Sequence, residues 1–422
     1  MAPGNRQKLI GIFALALCLR VICMVVLPPT REWVDASTYE TLASQIVDGK
    51  GFTSPSGEPT RIRPPGYPLF IAAVYLVAGK HPLAAVFVQA ILGSLGALLV
   101  FNLASRFADS RVALTASLIT ASYPALIFYD SRMLREGFTA VLILLGVIAA
   151  FRAREQKTTG SYLWLGAAVG AASMTRPETV LLAAPLAWIA IPGIPSFRRS
   201  FRPALLIAGT IAIAWTPWTV RNVILFDSIS PVHAGLGSTV WFGSRWANNG
   251  GDDQRSIDRS QLQAETRAIQ SAAGREKADS VFLQKVIGDI TSRPTWFLEM
   301  VGRKAIIFWK DANGVRKTLP KVHPALPYLA NTYYYALLIL ALIAAVHFGR
   351  HTDARRIAIT VLVFCATYAL LHVRNRYRIP ILPMVFILSS IGFWGCLDAF
   401  AARSATFASA LNRLALGRSA AR

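Results

Sequence analysis

Apolar runs and charge clusters alternate along the whole chain. Apolar runs lie near 9–27, 83–104, 112–129, 137–151, 161–175, 179–193, 204–221, 327–348, 357–372 and 379–400. A helix needs about 20 mostly apolar residues to cross a bilayer, and most of these runs come close to that length. The spacing therefore predicts an all-α polytopic membrane protein with about ten spans. The runs 161–175 and 179–193 are short, which fits a tilted or re-entrant pair hinged at Arg176-Pro177-Glu178. The first run follows Arg6 and Lys8, as a signal peptide would. It continues past Arg20 to Leu27 and ends in Pro28-Pro29 without a small-x-small cleavage site, so it reads as a retained span.

Four regions follow from this pattern. Residues 1–221 form an N-terminal membrane core, with a first loop at 28–82 that carries juxtamembrane helices. Residues 222–326 form a mostly helical polar segment, residues 327–400 the C-terminal spans, and residues 401–422 a basic tail. Within 222–326, glycine and asparagine turns precede a polar helix near 256–290. Ser292-Arg293-Pro294 then ends that helix and starts another carrying Phe297, Lys304 and Trp309. Aromatics mixed with lysine place this last helix along the membrane interface.

Charge orients the spans. Under this count, Arg6/Lys8, Arg106/Arg111, Arg152/Arg154/Lys157, Arg198/Arg199/Arg202, Arg350/Arg355/Arg356 and the tail arginines all fall on one side. That side is cytoplasmic by the positive-inside rule, and both termini lie there. The first loop, 130–136, 176–178, 222–326 and 373–378 then face outward from the cytoplasmic (inner) membrane. Composition agrees: 54% of the 422 residues are hydrophobic, 16% are charged and the net charge is +22. In a chain this apolar, a basic excess reads as topology or anionic lipid rather than nucleic acid. Cys18, Cys23, Cys365 and Cys396 all fall in apolar runs, which argues against a disulfide framework.

The first loop is better equipped than a connector needs to be. Its stretch 33–70 reads WVDASTYETLASQIVDGKGFTSPSGEPTRIRPPGYPLF. Asp35 and Tyr39 share one face if the stretch is helical, although Asp35-Ala-Ser-Thr also fits a helix N-cap. Arg61 and Arg63 precede a rigid Pro64-Pro65-Gly66 turn. Further outward cations are Arg176 and Arg374, Arg376 and Arg378 of the RNRYR stretch. Cations beside outward span ends oppose the positive-inside bias, and an anionic ligand such as a lipid phosphate would offset them. The outward acids are Asp35, Glu40, Asp130, Glu136 and Glu178. Tyr67 and Trp241 are candidate sugar-stacking walls, or members of an aromatic belt. No cofactor is indicated: His81, His233 and His323 are too scattered for a metal spacing, and no phosphate loop or dinucleotide fingerprint occurs.

Several stretches in order resemble the GT-C glycosyltransferase superfamily, in particular bacterial dolichyl-phosphate-mannose protein mannosyltransferase-like and lipid A aminoarabinose transferase-like proteins. They are Asp35-Ala-Ser-Thr-Tyr39, Gly49-Lys-Gly-Phe52, Arg63-Pro-Pro-Gly-Tyr-Pro-Leu-Phe70, Tyr123-Pro124 with Glu136, Met174-Thr-Arg-Pro-Glu178, Thr216-Pro-Trp-Thr-Val-Arg-Asn222, Val240-Trp-Phe-Gly243 and Arg376-Tyr-Arg-Ile-Pro380. The resemblance implies a GT-C fold and an inverting enzyme. It would move a sugar from a polyprenyl-phosphate donor to an acceptor hydroxyl of a glycan, lipid or protein. It also implies that Asp35 is catalytic, with Asp130 or Glu136 as the second acid. Many relatives carry paired acids in the first loop, whereas here Ala36 follows Asp35. Arg61, Arg63, Arg374, Arg376 and Arg378 are expected to hold the donor phosphate, and Tyr39, Tyr67, Arg176, Glu178 and Trp241 to line the substrate site. The competing class is a lipid or ion transporter, which would place its charges near the bilayer midplane at broken helices rather than at span ends.

Overall fold

The computed structural model describes residues 3–27, 34–61, 63–191, 197–228, 235–246, 259–310, 325–347 and 352–403. Trp33, the glycine- and asparagine-rich run after Trp246, His233, His323 and the basic tail beyond Arg403 lie outside the described residues.

The described chain is helical, and its one β feature is an isolated bridge between Thr53 and Pro59. In chain order the helices are α1 (Pro3–Val26), α2 (Val34–Val47), α3 (Gly66–Ala78), α4 (Pro82–Ala104), α5 (Ser110–Ser122), α6 (Pro124–Asp130), α7 (Arg135–Gln156) and α8 (Thr159–Thr175). A 3-10 turn (Pro177–Leu182) leads to α9 (Ala183–Ala190), α10 (Phe197–Phe226), α11 (Leu236–Trp246), α12 (Arg259–Ser292) and α13 (Pro294–Trp309). Then come α14 (Ala325–His347), α15 (Thr352–Leu370), a second 3-10 turn (Asn375–Ile381) and α16 (Leu382–Ala401).

Among the described residues six helices are long and apolar enough to cross a membrane: Asn5–Val26, Pro82–Ala104, Arg135–Gln156, Phe201–Phe226, Tyr328–His347 and Asn375–Ala401. The protein is therefore a multi-pass membrane protein. The run expected as one span at 112–129 is broken. Its helices α5 and α6 meet at 54°, because Tyr123 precedes Pro124 and adopts an extended backbone (φ −69, ψ 120). The three remaining apolar runs correspond to α8, to Pro177–Ala190 and to α15. The first two are shorter than a full span, and α15 is not apolar enough to count with the six.

The core follows from small residues that let helices approach. Gly66 opens α3 against the end of α8, where a Cβ would lie 2.7 Å from the Met174 carbonyl carbon. That contact seats the Pro64-Pro65 turn, and so Arg63, beside the end of α8. Tyr39 and Ala43 of α2 pack on Tyr67, Ile71 and Tyr75 of α3. The loop from Gly49 to Arg61 is tied to α10 by Arg221, whose Nη2 donates to the carbonyls of Phe52 at 2.9 Å and Thr60 at 3.2 Å.

A buried ion pair sits deeper. Arg20 of α1 and Asp130 of α6 meet at 2.8 Å, and both side chains are almost wholly excluded from solvent. Arg20 Nη1 also donates to the carbonyls of Ala16 and Ala121. Two glycines make room: a Cβ at Gly93 would fall 2.2 Å from Asp130 Oδ2, and one at Gly137 1.6 Å from Oδ1. Gly137→Ala is therefore expected to lower stability by roughly 1–3 kcal/mol, as overpacked sites do. Thermal unfolding in detergent checks this, and an unchanged midpoint would show that Asp130 has room to move.

Candidate active site

Asp35 lies in the first turn of α2. Arg63 Nη2 meets its Oδ1 at 2.5 Å, and Arg376 Nη2 meets its Oδ2 at 2.5 Å. Each carboxylate oxygen thus faces one guanidinium, so the side chain serves the cluster rather than capping its helix. Arg376 comes from the second 3-10 turn, 341 positions away in sequence.

The cluster continues inward as alternating charges. Arg376 Nε lies 3.7 Å from Glu136 Oε1, in the first turn of α7. The same oxygen lies 2.9 Å from Arg176 Nη2. Arg176 Nη1 reaches Glu178 Oε1 at 3.3 Å and donates to the Tyr368 hydroxyl at 2.9 Å. Tyr368 in turn donates to Glu178 Oε1 at 2.7 Å. Side-chain exposure falls from 25% at Arg63 and 19% at Asp35 to 3% at Glu136 and 0% at Arg176, then rises to 17% at Glu178, so the driest part of the chain of charges is its middle. Glu136 Oε2 is buried and accepts no hydrogen bond from the described residues.

Three carboxylates (Asp35, Glu136, Glu178) face three arginines (Arg63, Arg376, Arg176). Arg135 adds a fourth cation, tied through Nη1 to the Thr175 carbonyl at 2.8 Å and felt electrostatically by Asp35. The site thus carries one positive charge in excess. Burial raises the Asp35 carboxyl, but Arg376 and Arg63 outweigh it and hold the group at about 2. Tyr39, one turn along α2, is buried with Arg63 over its ring at 5.7 Å. The Asp35/Tyr39 spacing therefore does place both on one face.

Other expected site residues fall elsewhere. Asp130 is not in the cluster, because Arg20 sequesters it; of the two acids the resemblance offered, only Glu136 joins Asp35. Arg378 is not free for a ligand: its Nη1 donates to the carbonyls of Phe308 at 2.9 Å and Lys310 at 2.7 Å. Arg61 lies over the Phe226 ring of α10 at 5.1 Å rather than against Asp35. Arg374 keeps company with His372, which burial and then Arg374, Lys304 and Arg376 push down to about 3. Tyr67 is not a stacking wall, since it is 2% exposed and its hydroxyl donates to Gln89 Oε1 at 2.7 Å. Trp241 is not one either; it is wholly buried against Phe282 in the α11–α12 pair. Among the described residues no three His, Cys, Asp or Glu side chains are grouped to hold a metal ion.

Sequence reading missed Tyr368 and Gln89. Tyr368 leaves only a faint signal, a polar Thr-Tyr step near the end of an apolar helix. Gln89 leaves a clearer one, an amide in the apolar first half of a span. Its Nε2 donates to the carbonyls of Tyr129, Asp130 and Arg132.

Residues 62–220 match the family model described as dolichyl-phosphate-mannose-protein mannosyltransferase. The apo oligosaccharyltransferase of Archaeoglobus fulgidus is 13% identical, with a TM-score of 0.56 over 100% of this chain and 54% of that one. The archaeal oligosaccharyltransferase AglB from Archaeoglobus fulgidus, in complex with an inhibitory peptide and a dolichol-phosphate, is 11% identical, with a TM-score of 0.55 over 100% of this chain and 53% of that one. ArnT from Cupriavidus metallidurans bound to undecaprenyl phosphate is a weaker likeness: 13% identity and a TM-score of 0.47, over 95% of this chain and 80% of that one. The chain spans about half the length of the archaeal structures it matches. Comparison with curated proteins gives no match. The chain has the GT-C fold, and over residues 62–220 it carries the sequence pattern of the dolichyl-phosphate-mannose-protein mannosyltransferase family.

Proposed function

We propose that the protein is an inverting glycosyltransferase that moves a sugar from a polyprenyl-phosphate donor to an acceptor hydroxyl at the outer face of the cytoplasmic membrane. The observation that carries this reading is the ionised Asp35 carboxylate flanked by Arg63 and Arg376 at a partly exposed end of the charge cluster. The family pattern over 62–220 supports the reaction class, and the dolichol-phosphate held by the archaeal structure supports a lipid-phosphate donor.

The outer location is inferred from α7. Glu136 opens that helix, while Arg154 and Glu155 lie at its other end. Arg106 pairs with Glu155, and Arg154 with Asp353, at that far end. The arginine-rich end is cytoplasmic by the positive-inside rule, so the cluster faces outward.

A phosphate leaving group departs as an anion and needs no proton. The reaction then needs a base for the acceptor hydroxyl and cations for the phosphate. Asp35 takes the hydroxyl proton as the acceptor oxygen attacks the anomeric carbon. The bond from that carbon to the phosphate oxygen breaks on the opposite face, and its electron pair leaves with the phosphate. Arg63 and Arg376 receive the developing charge with a fork suited to phosphate. The same two arginines make resting Asp35 a weak base, so a phosphate that draws either of them away strengthens it.

The test is transfer from radiolabelled polyprenyl-phosphate sugars by purified protein in lipid nanodiscs. Its pH profile has a definite sign. The free-enzyme group at about 2 keeps the acid limb of kcat/KM flat between neutral pH and roughly pH 5. The acid limb of kcat, which reports Asp35 after the phosphate has engaged its arginines, is expected at higher pH. Coincident limbs would argue against competition for the arginines. No transfer from any lipid-phosphate sugar would overturn the reading.

A further inference from the structure

The second 3-10 turn carries Arg376, yet nothing in that turn explains how a short segment holds a guanidinium against Asp35. We infer that Lys304 and Arg378 are positioning residues that fasten the 371–381 segment to α13 at both ends and so set where Arg376 meets Asp35. The inference rests on the reading of Asp35 and Arg376 given above.

The two ties are reciprocal. Lys304 of α13 is wholly buried, and its Nζ donates to the Leu371 carbonyl at 2.8 Å, just past the end of α15. Arg378 of the turn donates to the carbonyls of Phe308 at 2.9 Å and Lys310 at 2.7 Å, at the end of α13. The last turn of any helix leaves carbonyls without intrahelical partners, and a cation there is favourable. Lys304 thus satisfies the C-terminus of α15, and Arg378 that of α13. Tyr334 of α14 packs beneath Arg378, its ring centroid 4.5 Å from the guanidinium carbon. A third side is closed by α11: a Cβ at Gly243 would come 2.0 Å from the Leu371 oxygen. Arg376 lies between the two anchors and projects to Asp35. Among the described residues α11–α13 contribute no group to the acid–base chain, and their role is to hold the turn that does.

Lysine makes this tie sensitive to pH. Burial pushes the Lys304 ammonium down to about 8. Lys304, Arg374 and Arg376 all act on His372, which is held at about 3 and stays neutral in this range. Towards α12, Asp289 and Arg293 pair with each other at 2.9 Å. As pH rises through about 8, Lys304 loses its proton and its bond to Leu371 loses the assistance of charge. Fold stability moves the other way. The folded value lies below the unfolded 10.5, so the cost of the buried charge is present below about 8 and is relieved as pH climbs towards 10.5. A purely structural lysine would let activity follow stability upward.

The experiment uses full-length protein in nanodiscs and has two independent readouts. Hydrogen exchange of the 371–381 amides reports the tie itself. Transfer kinetics at pH 7 and 9 report its consequence. Lys304→Met is expected to fold with unimpaired thermal stability, to exchange faster across 371–381, and to lose about ten- to a hundredfold in turnover, the scale of a misplaced catalytic group. Wild-type turnover should fall from pH 7 to 9 while its melting point rises, and Lys304→Arg should keep turnover level between them. If neither arginine nor methionine folds at 304, the wild-type pH pair and exchange in Arg378→Lys decide. Wild-type exchange and turnover in Lys304→Met, or wild-type turnover and melting point rising together, would overturn the inference. Unchanged transfer in Asp35→Asn would instead sink the reading of the site, while exchange at 371–381 still judges the tie.

Discussion

Replacing Asp35 by asparagine is expected to cut sugar transfer by roughly 10²–10⁴-fold, the range supplied by a positioned general base. Asparagine keeps the shape of the side chain and removes only the charge and the proton acceptor. The site is partly open: Arg63, 25% exposed, rehydrates when its anion is lost, Arg376 keeps Glu136 at 3.7 Å, and the fold survives. Donor binding should hold or tighten, because a lipid phosphate no longer competes with a carboxylate for Arg63 and Arg376. Turnover and donor affinity measured side by side separate the two effects. Wild-type turnover in the asparagine variant would remove Asp35 from the proton step.

Replacing Arg176 by methionine is expected to act on stability first. Arg176 is wholly buried and holds Glu136 at 2.9 Å, Glu178 at 3.3 Å and the Tyr368 hydroxyl at 2.9 Å. Removing one partner of a buried pair leaves an uncompensated charge and costs about 3–5 kcal/mol. Here two carboxylates lose their common cation, so the upper part of that range is expected in chemical or thermal unfolding. Adding Glu136→Gln to the same chain should restore much of the loss, since a neutral amide needs no counterion. Equal instability of the single and double variants would show that Arg176 acts through packing rather than charge.

Much of the site could be read locally. Asp35 and Tyr39 are four residues apart, and helical geometry alone puts them on one face. Arg63 precedes Pro64-Pro65, whose fixed backbone predicts an ordered turn. RNRYR, beside a span end that charge bias predicts to face outward, opposes a topological rule, and one of its arginines does reach Asp35. These inferences need only neighbouring residues or counted charges.

What the sequence by itself determined is the multi-pass helical architecture, the resemblance that names its fold, and the gathering of acids and arginines at one set of span ends. Tertiary structure decided which of those charges meet. Arg376 rather than Arg378 faces Asp35, and Glu136 rather than Asp130 lies behind it, because Arg378 is spent on the end of α13 and Asp130 on Arg20. Tyr67 and Trp241 read as open aromatics and proved to be core. The reason is physical: periodicity and charge bias are set by short-range geometry and the membrane. A charge's partner depends on burial and on contacts such as Arg376 to Asp35, which no local pattern encodes.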